Sequence, residues 1–173
     1  MVGKEILIVA GPNGAGKTTF ALTYLRFEAR GLPFLNADMI AAGLAPFGSR
    51  HSDIQAGRLM LAEIDRLAAA GESFAFETTL AGRSYRRRIQ QWRCDGYLVT
   101  LLFLSLPSPE DAIRRVRRRV EQGGHHIPED VVRRRFEAGL ENFSSLYAAS
   151  VDRWILYDNR GRVPVVVERS GDP

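Results

Sequence analysis

Three things are scarce in this chain of 173 residues: cysteine, lysine and long apolar runs. The single cysteine, Cys94, excludes an internal disulfide and fits a reducing cytoplasm, and we expect it to be a small core residue rather than a nucleophile. No apolar run approaches the roughly 20 residues of a membrane-spanning helix. The first predicted strand follows Glu5 at once, which leaves no room for a signal peptide. The sequence therefore predicts a cytoplasmic protein with no membrane partner.

The scarcity of lysine makes arginine the source of nearly all the positive charge. Lys4 and Lys17 are the only lysines, the net charge is +4, and most of the arginines lie between Arg83 and Arg135. Such a cluster is typical of a nucleic-acid-binding surface, or of a site whose planar guanidinium groups hold a phosphate-rich ligand. Histidine is also rare, and no Cys/His cluster has the spacing of a zinc site, so none is expected.

The most informative stretch begins with the apolar run Ile6–Ala10, which predicts a buried strand. It is followed by Gly11, Gly16, Lys17 and Thr18 at the spacing of a phosphate-binding P-loop. Glycines let backbone N–H groups approach a polyphosphate, and the next helix points its positive end at the same anion. Lys17 can reach the β- and γ-phosphates of ATP, and the Thr18 hydroxyl can bind Mg²⁺. The residues predicted to bind the nucleotide are Gly11, Pro12, Asn13, Gly14, Ala15, Gly16, Lys17, Thr18 and Thr19.

Two carboxylates follow later strands. Asp38 comes just after the predicted strand at 32–35, which we expect to lie beside the P-loop strand, and Glu77 follows the strand at 74–76. In open α/β sheets, ligands bind at the carboxyl ends of the strands, so both acids are predicted at the P-loop crevice. Asp38 is a candidate general base or Mg²⁺ ligand. The alternative for each acid is to cap the helix that follows it.

Strands alternate with helices along the chain, which predicts an α/β fold. We expect one domain, 1–173, of the P-loop kinase type: a three-layer sandwich with a parallel five-stranded sheet, helices on both faces and a possible sixth edge strand at 163–168. The other strands are predicted at 97–104, as a central strand, and at 154–157. The helices are predicted at 18–30, 39–44, 53–70, 81–91, 108–122 and 128–149, with a loop containing Pro46 and Gly48.

The region from about 109 to 149 has the pattern of a helical lid. Two Arg-rich helices flank a hinge at Gly123-Gly124, followed by His125 and His126, and lids of this kind bring arginines onto phosphates and exclude water. Arginines nearly encircle the first helix, so for most of them a solvated face is the better interpretation, with Glu110, Asp111 or Glu121 as partners. Those next to the hinge are the candidates for neutralising charge at the γ-phosphate.

Several sequence blocks occur together and in order, and as a set they resemble the zeta-toxin family, in particular its short single-domain bacterial members. The likeness covers essentially the whole chain. The blocks are Gly-Pro-Asn-Gly-Ala-Gly-Lys-Thr-Thr (11–19), Asn-Ala-Asp (36–38), Phe-Glu-Thr-Thr-Leu-Ala-Gly-Arg (76–83), Gly-Gly-His-His-Ile-Pro-Glu-Asp (123–130), Arg-Arg-Arg-Phe (133–136) and Tyr-Asp-Asn (157–159).

The resemblance implies an ATP-dependent kinase, and the better-known toxins of the family phosphorylate the amino sugar of UDP-N-acetylglucosamine. It implies an antitoxin as a possible partner, although no antitoxin-binding segment is recognisable. By this likeness Asp38 would be the general base. The implied catalytic residues are Lys17, Asp38, Arg119 and Arg134; Arg135 would bind the nucleotide; and the implied substrate contacts are Asn36, Glu77, Thr79 and Arg83.

Three functions remain open from the sequence. The first is a small-molecule kinase for a nucleotide sugar, and the second is a P-loop kinase for another nucleotide or a sugar alcohol. The third is a nucleic-acid-binding ATPase that uses the surface between Arg83 and Arg135. The chain has no basic strand interleaved with aromatics and no recognised nucleic-acid motif, so nucleic acid is the least favoured partner.

Overall fold

The computed structural model describes residues 3–27, 31–45, 49–124 and 126–171. The helices and strands follow in the order β1 Lys4–Ala10, α1 Lys17–Phe27, β2 Phe34–Leu35, α2 Ala37–Leu44, α3 Arg50–Ala69, β3 Phe74–Thr78, α4 Tyr85–Cys94, β4 Tyr97–Ser105, α5 Pro109–Glu121, α6 Glu129–Asn142, a π-helical turn Phe143–Tyr147, β5 Arg153–Asp158 and β6 Val165–Arg169.

Six strands form one sheet in the order β2-β3-β1-β4-β5-β6. The first five are parallel and β6 pairs antiparallel with β5, with a bulge between Leu156 and Tyr157. The predicted α/β fold, its parallel five-stranded sheet and its edge strand are therefore confirmed, and the sheet as a whole is mixed. As predicted, β4 is a central strand, next to β1.

One predicted neighbour is wrong. The strand that precedes Asp38 does not lie beside β1, because β3 is inserted between them, with Val9 opposite Glu77 and Leu35 opposite Phe76. Residues 74–76 of β3 are completely buried, as expected for a strand with another strand on each side. The two residues of β2 are half-buried, as expected for a strand at the edge of the sheet. Glu77 rather than Asp38 therefore lies directly next to the P-loop strand.

The core lies on both faces of the sheet, because successive side chains of a strand point to opposite faces. Ile6 and Ile8 of β1 pack into a cluster that includes residues of α3, α4 and the π-helical turn. Leu7 and Val9 pack on the other face in a cluster that includes residues of α1, α5 and α6. Helices cover both sides, as the three-layer prediction requires.

The boundaries of α4 differ from the prediction. This helix begins at Tyr85 rather than at Ala81, because the residues before it form a loop in which the Gly82 carbonyl accepts from Tyr147 and Arg83 donates to Asn142. Cys94, at the end of α4, is exposed, so its prediction as a core residue is wrong. Ile89 and Trp92 occupy the buried face of α4, and Cys94 falls outside their spacing.

Other predicted helix ends also differ. The predicted helix to Ala149 is α-helical only to Asn142 and then becomes the π-helical turn. Residues 28–30, at the predicted end of α1, lie outside the described residues, as do Pro46, Gly48 and His125. No helix in the described part of the chain is long and apolar enough to cross a membrane.

Candidate active site

The P-loop is wedged between the sheet and α5, and two of its glycines are required there. Gly11 has φ +142° and Gly14 has φ +79°. A Cβ on Gly11 would overlap the carbonyl oxygen of Leu104, and one on Gly14 would lie 2.8 Å from that of Ala112. These close contacts with Leu104 and Ala112 hold the loop in place. The glycines are therefore needed for packing within the protein as well as for approach to a phosphate.

Asn159 holds the loop from the carboxyl end of β5. Its Nδ2 donates to the carbonyl of Ala15 (2.6 Å), its backbone N–H donates to Ser105 (3.0 Å), and its side chain is buried. In the sequence, Asn159 is noticeable only as the last residue of the Tyr-Asp-Asn block (157–159), which predicts no role for it. Its place just after a strand, at the carboxyl edge of a parallel sheet, is the signal that could have identified it.

Lys17 is buried at the base of the site, with 6% of its surface exposed. Its Nζ donates to the carbonyl of Pro12 (3.0 Å) and lies 3.6 Å from Oε1 of Glu77. Burial lowers the pKa of Lys17 below its usual value, and the neighbouring Glu77 and Asp38 carboxylates oppose this shift. Arg119 lowers the same pKa through its charge, which places this predicted lid arginine near the P-loop.

Glu77 connects the P-loop to the second strand. Its Oε2 accepts from Thr18 Oγ1 (2.7 Å) and from Asn36 Nδ2 (2.7 Å), and Asn36 Nδ2 also lies 3.2 Å from Thr18 Oγ1. The alternative in which Glu77 caps a helix does not hold, because α4 starts after Ser84. Thr18, Asn36 and Glu77 therefore form a polar cluster at the mouth of the P-loop.

Asp38 lies in the first turn of α2, and the helix-capping alternative does not hold for it either. Asn36 is the N-cap, because its Oδ1 accepts from the backbone N–H of Met39 (3.1 Å). The Asp38 side chain is exposed and lines the same cavity as Lys17. Its carboxylate is therefore available to a ligand.

The cavity above the P-loop has a volume of about 1030 Å³. It brings together eight of the predicted site residues: Asn13, Lys17, Asn36, Asp38, Glu77, Thr79, Arg134 and Arg135. His126, from the predicted hinge, also lines it. Arg83 and Arg119 are outside this lining.

Part of the cavity wall comes from α3 and α4, and no sequence motif predicts it. Arg58 of α3 and Tyr85 of α4 both line the cavity. Burial raises the pKa of Tyr85 to about 12, so its hydroxyl stays neutral and can donate a hydrogen bond at any physiological pH. The helical spacing of Ile54, Arg58 and Leu61 is the signal that could have revealed this wall.

The loop that follows Glu77 and Thr79 is held by α6 and the π-helical turn. Asn142, which is buried, donates to the carbonyl of Leu80 (2.9 Å) and accepts from Arg83 Nε (3.2 Å). The Tyr147 hydroxyl donates to the carbonyl of Gly82 (2.7 Å). Arg83, predicted as a substrate contact, is thus used to fix the loop that carries Thr79.

Five of the eight arginines of α5 and α6 have one of two surroundings. Arg114, Arg117 and Arg133 form exposed ion pairs with Asp111, Glu129 and Glu110 respectively. This is the solvated arrangement that was expected for most of them. Arg134 and Arg135 instead line the cavity. The apolar faces of both helices are buried against the sheet, so the predicted lid is anchored at its base.

A P-loop at the end of a central strand of this sheet, with Glu77 on the neighbouring strand and Asp38 just after the edge strand, defines a P-loop protein of the kinase-type α/β fold. A model of the AAA domain family matches residues 6–146. The chain belongs to that family.

Similar proteins agree with this class. An uncharacterized protein of Haemophilus influenzae is 31% identical over 132 residues, which are 76% of this chain and 92% of the relative. Among solved structures, that of the PezAT chromosomal toxin–antitoxin system of Streptococcus pneumoniae has a TM-score of 0.68 at 17% identity, over 98% of this chain and 72% of that one.

Two further structures show the same fold. AvrRxo1-ORF1:-ORF2 with ATP has a TM-score of 0.72 at 19% identity and covers 96% of this chain and 58% of that one. A gluconokinase from Sinorhizobium meliloti 1021 has a TM-score of 0.54 at 19% identity, over 92% of this chain and 84% of that one. At these identities the likeness shows the fold.

Proposed function

We propose that the protein is an ATP-dependent kinase that transfers the γ-phosphoryl group to a hydroxyl of a small-molecule acceptor. The observation that carries the proposal is that Lys17, Glu77 and Asp38 line one cavity of about 1030 Å³. This combines a nucleotide-binding cation, an acid hydrogen-bonded to the P-loop threonine and an accessible carboxylate. The fold similarity to a gluconokinase and to a protein solved with ATP supports the same class.

The residues present fit a triphosphate and its magnesium ion. Gly11, Gly14 and Gly16 have the positive φ that lets backbone N–H groups turn toward a phosphate, and buried Lys17 supplies a cation beside them. Lys17, which now donates to Pro12, would turn to phosphate oxygens. Thr18 and Glu77 would hold Mg²⁺. Bound Mg²⁺ would neutralise phosphate charge. In the described part of the chain no cluster of three His, Cys, Asp or Glu residues could hold a metal ion by itself, so the phosphates would supply further ligands.

The chain's own groups then divide the remaining work. Asp38 would accept the proton of the acceptor hydroxyl, since a sugar hydroxyl is a poor nucleophile until its proton has a base to go to. Arg119, Arg134 and Arg135 would be the lid cations that neutralise charge developing on the transferred group. The lid and the P-loop would belong to a single domain, 1–173. Thr79 would contact the acceptor.

UDP-N-acetylglucosamine is the first acceptor to test, because of the motif resemblance. Other nucleotides and sugar alcohols or acids are the alternative acceptors. An antitoxin protein is the partner we propose, since one of the similar structures belongs to a toxin–antitoxin system.

Product analysis tests the kinase directly. The protein would be incubated with Mg·ATP and a panel of nucleotide sugars, nucleotides, sugar acids and RNA, and the products identified by mass spectrometry. We expect one acceptor to gain a phosphate and the Lys17→Ala variant to be inactive yet folded. Equal turnover by Lys17→Ala would refute the nucleotide site.

A further inference from the structure

The cavity extends well beyond the P-loop, and α3 forms its outer wall. Ile54, Gly57, Arg58 and Leu61 all line the cavity. Their spacing of three, four and seven residues places them on one face of the helix. This face lines the same cavity as Lys17 and Glu77, so an acceptor bound against it would share the cavity with the nucleotide.

Gly57 leaves room on this wall that the protein does not fill. Glycine weakens a helix interior, so it usually reflects a close neighbour. A Cβ on Gly57 would meet no atom within 4 Å, which means that no described part of the protein requires glycine there. Beside it, the apolar side chain of Ile54 is 54% exposed. The gap and the uncovered side chain together form a flat apolar surface.

Arg58 supplies a charge next to this surface. Arg66 of the same helix pairs with Glu63, and Arg88 of α4 pairs with Asp65 of α3. Arg58, by contrast, forms no ion pair with any residue that the structure describes, and it is exposed to the cavity. A guanidinium group in this position is suited to a planar anion such as a carboxylate or a phosphate.

Three residues with hydroxyl groups, Thr79, Ser84 and Tyr85, line the same cavity. Hydroxyls of this kind suit the hydroxyls of a polyol or sugar. Asp38, the proposed base, lines the same cavity from α2.

We infer that the Ile54–Leu61 face of α3 is the acceptor-binding wall, where Arg58 pairs with an anionic group of the acceptor and a ring or carbon chain lies over Gly57 and Ile54. The acceptor is therefore a hydroxylated anion, carrying a carboxylate or a phosphate, and not a neutral sugar. This inference rests on the proposed kinase function.

Matched acceptors test the class. ADP release would be measured with two pairs, gluconate against glucose and UDP-N-acetylglucosamine against N-acetylglucosamine. We expect turnover with the anionic member of at least one pair and little with either neutral sugar. The pair that responds tells whether the anion is a carboxylate or a phosphate.

Two variants test the wall itself. Arg58→Gln should raise KM for the anionic acceptor by about fivefold, the loss expected when one partner of an exposed ion pair is removed. Its kcat and the KM for ATP should change little. Arg86→Gln is the matched control, because Arg86 is an exposed arginine of α4 outside the cavity lining.

The glycine test separates binding from stability. Gly57→Leu and Gly43→Leu both replace a helical glycine whose Cβ would meet nothing within 4 Å, but Gly43 does not line the cavity. Both variants should raise the thermal unfolding midpoint, because leucine favours the helix. Only Gly57→Leu should also raise KM for the acceptor, by about tenfold or more.

The outcomes distinguish this inference from the kinase proposal. If the neutral sugars are used as well as the anionic ones, or if Arg58→Gln leaves the acceptor KM unchanged, the wall is refuted while the kinase stands. If no anionic acceptor of the two pairs is used although Mg·ATP binds in a Lys17-dependent way, the inference is also refuted. If the protein shows no ATP binding that depends on Lys17, the kinase proposal is refuted instead.

Discussion

Two carboxylates reach the same cavity with different surroundings. Glu77 is partly buried and engaged by Thr18, Asn36 and Lys17, whereas Asp38 is exposed in the first turn of α2. A base must be free to approach its substrate, and a metal-holding acid must be fixed beside the P-loop. The contacts therefore favour Asp38 as the base and Glu77 as the acid of the metal site.

Amide substitutions test this division of roles. Asp38→Asn keeps the shape but loses basicity, so kcat should fall by roughly 10²–10⁴-fold with ATP affinity retained. Glu77→Gln should instead weaken Mg²⁺-dependent ATP binding, because its amide cannot replace the carboxylate beside Thr18. Titration calorimetry with and without Mg²⁺ and steady-state rates would measure both. Near-normal rates for Asp38→Asn, with a loss confined to Glu77→Gln, would exchange the roles.

At the scale of elements, α6 links two sides of the cavity. Its first half contributes Arg134 and Arg135 to the lining, and its last residue, Asn142, holds the Leu80 carbonyl. The helix therefore contacts both the phosphate side and the loop that carries Thr79. Leu80 has the left-handed backbone conformation that residues other than glycine rarely adopt. The hydrogen bond from Asn142 to the Leu80 carbonyl stabilises this conformation.

Removing the side-chain amide tests that support. Asn142→Leu deletes both hydrogen bonds and leaves the Leu80 carbonyl without its donor, which costs about 1–3 kcal/mol in the free energy of unfolding. Backbone amides of residues 79–83 should exchange faster with deuterium, while ATP affinity should stay unchanged. Ser144→Ala, at an exposed serine just after α6, is the control. If deuterium exchange of residues 79–83 is unaltered in Asn142→Leu, the loop does not depend on Asn142 for its conformation.

The adjacent arginines of α6 offer a second test of this helix. Arg134 lines the cavity, whereas Arg133 pairs with Glu110 at the surface. Arg134→Ala should lower kcat by orders of magnitude if it neutralises charge on the transferred group. Arg133→Ala should leave kcat unchanged and cost less than about 1 kcal/mol, as exposed ion pairs do. Equal effects on kcat would argue against a lid cation.

At the scale of the whole molecule, the positive charge is less available than the sequence indicates. In the described part of the chain, at least five arginines between Arg83 and Arg135 form ion pairs: Arg88, Arg93, Arg114, Arg117 and Arg133. A paired guanidinium adds little to the attraction of a phosphate backbone. The charge cluster therefore favours the cavity over an extended nucleic-acid surface.

Ligand-dependent stability separates the two functions. Mg·ATP at 100 times its dissociation constant should add about 2.7 kcal/mol to the free energy of unfolding and raise the melting temperature. Lys17→Ala should lose this shift. RNA or duplex DNA should give neither a comparable shift nor binding with a steep salt dependence. Tight nucleic-acid binding that persists in Lys17→Ala would reverse this order of preference.

Much of the architecture could be predicted because it depends on local chemistry. The P-loop spacing, the apolar runs of β1, β3 and β4 and the Ser108 cap of α5 are properties of short segments, and the structure contains all of them. The start of α4 could not be predicted, because Gly82 and Arg83 are held in a loop by Tyr147 and Asn142, which are 65 and 59 residues away along the chain. Exposed Cys94 was misplaced because burial within a short helix depends on what packs against it.

The P-loop could be predicted because a strand, a glycine-rich loop and a helix form it from consecutive residues, whose order fixes their geometry. The remainder of the cavity depends on tertiary packing. Strand order placed Glu77 rather than Asp38 beside the P-loop, and packing brought α3, α4 and α6 around one cavity. Which side chains share a cavity depends on how distant segments pack, and that information is spread over the whole core rather than held in any one motif.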